Sequence, residues 1–190
     1  QIVVANVGDS RTYLWRHDEL RQVTKDHSHV QTLVDRGAIT RAEARVHFQR
    51  NIVLRAMGIE SWVDIDTFPL TVEDGDRFIM CSEGLVDEAD DDEIETEIRL
   101  STSVQDLADR LVDLANRNGG RDNITVVVVD FALSDEEVAI VELEEPVVVP
   151  ETDSPTTTFF ILFFILRARR DKRIADDPEL IKQLLKYSPK

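Results

Sequence analysis

The β-branched residues Ile124 through Val128, set directly behind Gly119-Gly120-Arg121-Asp122-Asn123, restrict this chain more than any other feature. Such a run favours a strand buried on both faces. The glycine pair in front of it stops a preceding helix. Between the two lies a tight polar turn that presents one carboxylate, Asp122, where a helix ends and a strand enters a core. That placement suits a metal ligand or a catalytic acid. It equally suits an Asx-type turn made by Asp122 and Asn123, the plainer reading.

The rest of the chain supplies the elements such a strand needs. Residues 2–7 read as a strand and Gly8-Asp9-Ser10 as its turn. A hairpin follows, 12–15 and 20–24, turning at His17-Asp18-Glu19. Ser28 caps a short helix that Gly37 stops, and Thr40 with Glu43 has capping-box spacing for a second short helix through Arg45. Residues 63–70 and 77–81 read as two more strands. From Glu83 to Glu97 there are nine acids and no base, the pattern of an exposed loop entering a helix near Asp90. Ser103 and Asp106 start the most regular helix, with Val104, Leu107, Ala108, Leu111 and Ala115 on one side. Strands and helices in this mixture predict an α+β domain over 1–131. Residues 132–157, acidic and carrying three of the six prolines, read as a linker. Residues 158–190 hold an apolar segment, the basic stretch RARRDKR and a short amphipathic helix.

Composition removes several function classes. The net charge of -16 argues against a nucleic-acid binder. The single cysteine, Cys81, excludes an internal disulfide and fits a reducing cytoplasm; in an apolar strand it reads as an inert core thiol. The apolar run near 156–166 is too short to span a bilayer as a helix. Membrane contact through 156–173 as a basic-flanked anchor, or docking as a strand, are the two readings it leaves. The chain opens on Gln1 inside an apolar run, so it is expected to be the later part of a longer protein.

Three acids stand beside small residues at strand ends: Asp9 in VGDSR, Glu83 in CSEGL and Asp122 in GGRDN. A small neighbour admits a ligand, and a strand end holds a carboxylate still. Hard cations such as Mg²⁺ and Mn²⁺ take oxygen ligands of this kind. Taken singly, each acid reads more plainly as a turn residue. The histidines lack zinc-site spacing, and His27, next to Asp26, reads as a polar residue at a loop entry.

Five blocks, VANVGDSRTYLW, LRQVTKDHSHVQTLVDRGAITRAEA, RNIVLRAMG, DGDRFIMCSEGLVDE and GGRDNITVVVVDF, occur in order over residues 1–131. Together they resemble the bacterial branch of the metal-dependent protein phosphatases, the PPM or 2C-type family. The resemblance implies an α-β-β-α sandwich of two antiparallel sheets flanked by helices, here in partial form. It implies a serine/threonine phosphatase whose metal-activated water hydrolyses phosphoserine and phosphothreonine at two Mn²⁺ or Mg²⁺ ions, with room for a third, weaker ion. Asp122 and Glu83 then correspond to direct ligands and Asp9 to the weaker position. Asn123 and Gly84 support them, and Gly37, Thr40 and Arg45 belong to a flap beside the site. The implied partners are phosphoproteins made by a Ser/Thr kinase. Glu83 stands where the family has aspartate, one methylene longer. The family's phosphate-binding arginine and Asp-Gly segment would precede Gln1, so this chain alone is expected to have trace activity at most. A non-catalytic pseudophosphatase or regulatory binding module is the alternative.

Overall fold

The computed structural model describes residues 1–58, 62–132 and 159–160. In chain order the strands are β1 (Ile2–Asn6), β2 (Arg11–Arg16), β3 (Glu19–Gln22), β4 (Asp66–Leu70), β5 (Arg77–Cys81), β6 (Val126–Asp130) and β7 (Phe159–Phe160). The helices are α1 (His29–Asp35), α2 (Arg41–Val46), α3 (Glu83–Val86), α4 (Asp91–Leu100) and α5 (Val104–Asn118).

Two sheets form. One has the order β4-β1-β7 and the other β3-β2-β5-β6. All pairings are antiparallel except β1 with β7, where Ile2 and Val3 stand opposite Phe159 and Phe160 in parallel. Period-two alternation divides the four-stranded sheet between two cores. Tyr13, Ile79 and Cys81 face a helix layer, where they meet Leu85, Ile94, Leu107 and Leu111. Leu14 and Phe78, one step along, meet Ile2 of β1 together with Leu70 and Phe131. Phe78 and Phe131 pack edge to face at 5.5 Å. The described residues therefore stack as sheet on sheet with helices α3 to α5 on the outer face of the second sheet.

Helix α5 forms as its spacing predicts. Leu107, Leu111, Leu114 and Ala115 are buried on one face. Ser103 Oγ accepts the Asp106 N–H at 3.1 Å, satisfying one of the donors a helix start leaves open. Ser103→Ala should lower stability by about 1 kcal/mol, read from urea denaturation midpoints. The helix ends at Gly119, whose φ of 155° disfavours residues with a side chain.

Three expectations need correction. The ITVVVV run pairs as a strand only from Val126, and Val126 to Val129 are half-buried rather than buried on both faces. The reason is position. Among the described residues β6 pairs with β5 alone, so it forms the border of its sheet. The acidic segment after Cys81 is not an exposed loop at its start. Glu83 to Val86 make a buried helical turn, and Glu88 and Ala89 are buried too. Strand β4 starts at Asp66 instead of residue 63. Of the linker at 132–157 and the tail at 158–190, only Ala132, Phe159 and Phe160 fall among the described residues. No helix among the described residues is long and apolar enough to cross a membrane.

Candidate functional site

Two carboxylates named by the sequence come together at one end of the sheets. β1 ends at Asn6, and the chain turns through Gly8, whose φ of 112° favours glycine, to deliver Asp9. β5 ends at Cys81, and Glu83 follows as the first residue of α3. Asp9 and Glu83 are each 8% exposed. Both line a cleft of ≈ 120 Å³, with Asp26, Asp87 and Asp91 as further acids and Arg11 between them.

Arg11 organises the floor of that cleft. Its guanidinium holds Asp26 through Nε at 3.0 Å and Nη2 at 2.7 Å. Its Nη1 donates to the Tyr13 hydroxyl, which donates in turn to Asp91 Oδ1, both at 3.0 Å. Burial, then the negative charges around it, push the Tyr13 hydroxyl upward, so it stays a donor. Burial likewise raises Asp87, against the pull of Arg50 and Arg121. Cys81 lies beneath the floor, its thiol pushed up to about 12 by burial, an inert core residue as expected.

Asp122 sits differently. It is exposed, and its Oδ1 accepts the Asn123 N–H at 2.8 Å, so the local Asx-type bond exists. It does not line the cleft of Asp9 and Glu83. Its loop is nevertheless clamped to the Glu83 turn. Ser82 Oγ donates to the Asn123 carbonyl and accepts the Thr125 N–H, both at 3.0 Å. From the other side, Glu88 receives the Arg121 backbone N–H at 3.2 Å and its guanidinium Nε at 2.7 Å. The Arg121 hydrogen bonds hold the Glu88 carboxyl below the usual range despite its burial. Gly84 packs so closely on the Asn123 carbonyl that it has no room for a side chain. Gly84 thus supports the site sterically, while Asn123 does so through its main chain.

The segment expected to be the flap begins where α1 ends and contains α2. Gly37, at a φ of 68°, closes α1, and Thr40 makes the full capping box with Glu43 that starts α2. These two shape the segment. Arg45 reaches further, lining the cleft and donating through Nη1 to the Ala89 carbonyl at 3.1 Å.

The donors are all oxygens, which fits a hard cation. Among the described residues, no three Asp, Glu, His or Cys groups stand ready to hold an ion by themselves. Asp9 and Glu83 therefore fit an ion that keeps most of its waters, as Mg²⁺ does. Sequence reasoning missed Arg11, Asp26, Ser82 and Glu88, whose roles arise from partners far along the chain. The separations are 15 residues for Arg11 and Asp26, 33 for Glu88 and Arg121, and 41 for Ser82 and Asn123.

Comparison with known proteins agrees with this geometry. The pattern of the stage II sporulation protein E (SpoIIE) family matches residues 35–132. The serine/threonine phosphatase stp of Listeria welshimeri is 42% identical over 130 residues, covering 68% of this chain and 52% of that protein. PstP of Mycobacterium tuberculosis, a serine/threonine protein phosphatase, is 45% identical over 128 residues, covering 67% of this chain and 24% of that protein. Among solved structures, the PPM Ser-Thr phosphatase MsPP from Mycobacterium smegmatis, in complex with cacodylate, superposes with a TM-score of 0.64 at 42% identity. The match covers 68% of this chain and 56% of MsPP. The catalytic domain of PstP in complex with two manganese ions gives 0.58 at 42% identity, covering 67% and 52%. The chain spans about half the length of the first curated relatives it matches. The chain belongs to the SpoIIE/PPM-type phosphatase family.

Proposed function

We propose that the protein removes phosphate from phosphoserine and phosphothreonine on proteins, with Mn²⁺ or Mg²⁺ as its metal. The observation that carries this reading is the convergence of Asp9 and Glu83, from the ends of β1 and β5, on one acidic cleft bordered by the flap. When bound, a divalent cation supplies charge neutralisation for the phosphoryl oxygens and lowers the pKa of its water. Asp9 and Glu83 would hold it, and Asp122, outside the cleft on the loop that Ser82 clamps to the Glu83 turn, would contribute from there. Arg11 and Asp26 keep the floor rigid, and Arg45 ties the flap to the Ala89 carbonyl beside it. The phosphoproteins it acts on are the products of a Ser/Thr kinase.

The test is Mn²⁺-dependent release of phosphate from a phosphothreonine peptide by the full-length protein. Glu83→Gln and Asp122→Asn should each reduce the rate on the order of 100-fold, the loss of a few kcal/mol of charge stabilisation. A protein with no Mn²⁺-dependent activity, or variants with undiminished rates, rejects the proposal.

A further inference from the structure

His27 is a buried residue, 8% exposed, in the segment that leads into α1. It engages both polar groups of one peptide unit's neighbourhood. Its backbone N–H donates to the Gly8 carbonyl at 2.9 Å, and its ring Nδ1 accepts the Gly8 N–H at 3.0 Å. Its own carbonyl accepts the Leu54 N–H at 2.7 Å, where the chain returns from the flap. Ring Nε2 lies 3.1 Å from Asp66 Oδ2 at the start of β4. Asp66 is held from its other oxygen by Arg55 at 2.5 Å.

These contacts determine which nitrogen carries the proton. An Nδ1 that receives the Gly8 N–H carries none, so the neutral ring has its proton on Nε2, facing the Asp66 carboxylate. Gly8 is the residue before Asp9, and since glycine adopts its φ of 112° freely among many others, the turn takes its rigidity from bonds made to Gly8. His27 supplies it at both ends. Among the described residues the only other side chain bonded to Gly8 is Asn6, whose Nδ2 donates to the same carbonyl at the longer distance of 3.3 Å.

We propose that His27 is a positioning residue that fixes the Gly8-Asp9 turn, and hence the Asp9 carboxylate, through an Nδ1 acceptor kept bare by Asp66. The inference rests on the reading of Asp9 as a metal-binding carboxylate. It adds that a histidine outside the ligand set determines how well Asp9 performs that role. Groups that orient a ligating carboxylate commonly matter to metal affinity by about 10- to 100-fold.

Two substitutions separate the two ring nitrogens. His27→Asn places an amide oxygen where Nδ1 accepts, whereas His27→Gln reaches toward the Nε2 position and leaves the Gly8 N–H without its acceptor. The experiment is NMR of the full chain with Mn²⁺ as a paramagnetic probe. In the unsubstituted protein the ¹⁵N shifts of His27 should report a bare Nδ1 and a protonated Nε2; the opposite tautomer overturns the proposal. The Gly8 amide proton should keep its position in His27→Asn and move upfield in His27→Gln. Broadening of the Asp9 amide should need about 10-fold more Mn²⁺ in His27→Gln, with His27→Asn close to the unsubstituted protein. Equal behaviour of the two variants overturns the role of Nδ1. Absence of Mn²⁺ broadening at Asp9 in the unsubstituted protein overturns the metal reading instead, and the tautomer and Gly8 shift still decide the role of His27.

Discussion

Replacing Gly84 by alanine should destabilise the protein by about 3 kcal/mol, at the upper end for an overpacked site, and should abolish phosphatase activity. A Cβ at this position would stand 2.4 Å from the Asn123 carbonyl oxygen, 3.0 Å from its carbon and 3.4 Å from Ile124 Cγ1. Two of these three are main-chain atoms, so no rotamer change relieves the contact. The backbone itself must move, and both backbones that meet here carry site residues. Gly84 follows Glu83 on the first turn of α3, and Asn123 follows Asp122. Retreat of either loop also breaks the Ser82 hydroxyl bridge, which bonds Asn123 and Thr125 from the same side. The effect is steric and unrelated to glycine's backbone freedom, since Gly84 lies in a helical turn without a positive φ. Urea denaturation and Mn²⁺-dependent phosphate release measure the two consequences. Unchanged stability in Gly84→Ala would mean that the two loops do not meet as described.

How much of this site was legible beforehand depends on the range of the interaction. Caps and turns are local, and they were read correctly. Ser28, Thr40 and Ser103 start helices through bonds made three residues on. The places of Asp9 and Glu83 at strand ends were also legible, because a strand end beside small residues is a local signal, whereas Asp122 lies outside their cleft. Burial was harder. The ITVVVV run carries the composition of a central strand, yet β6 forms a border, because composition does not state how many neighbours a strand finds. The turn after Cys81 was misread for the opposite reason. Glu83 and Glu88 look solvent-exposed by type, but Glu83 lines the cleft and Glu88 is compensated by Arg121. A buried acid announces itself only once its partner is known, and these partners are tens of residues away. His27 shows the same limit: its role comes from Gly8 and Asp66, 19 residues before it and 39 after it, and not from its neighbour Asp26.

The largest loss of stability is expected away from the cleft, at Arg16. The Asp76 side chain is fully buried in front of β5, and Arg16 at the end of β2 meets it with two parallel bonds, Nε to Oδ1 at 2.7 Å and Nη2 to Oδ2 at 2.6 Å. The same guanidinium bonds Glu73 at 2.5 Å and the Thr71 carbonyl at 2.8 Å, and Asp76 also accepts the Glu73 N–H at 2.8 Å. This cluster joins the β2 hairpin to the β4–β5 connection and, through the Phe131 N–H bonded to the Asp76 carbonyl, to the chain beyond β6. Removing the arginine leaves a buried carboxylate with the Glu73 N–H as a hydrogen-bond donor but without its counter-ion, so Arg16→Ala should cost about 3–5 kcal/mol. The pH dependence has a defined sign. Burial alone would raise the Asp76 carboxyl, but the Arg16 and Glu73 bonds outweigh it and hold the group below its ordinary range. A carboxyl depressed in the folded state stabilises fully above its unfolded pKa of about 4. That contribution is lost as the pH falls from there through the folded value. Asp76→Asn, which keeps the shape and removes the charge, should therefore lie well below the unsubstituted protein in stability at neutral pH. The gap should narrow as the pH drops below about 4, where the carboxyl of the unfolded chain takes up its proton while the native one still holds its charge. Parallel urea titrations at neutral and acid pH measure this. A gap of constant size across that range would show that the ion pair contributes shape alone.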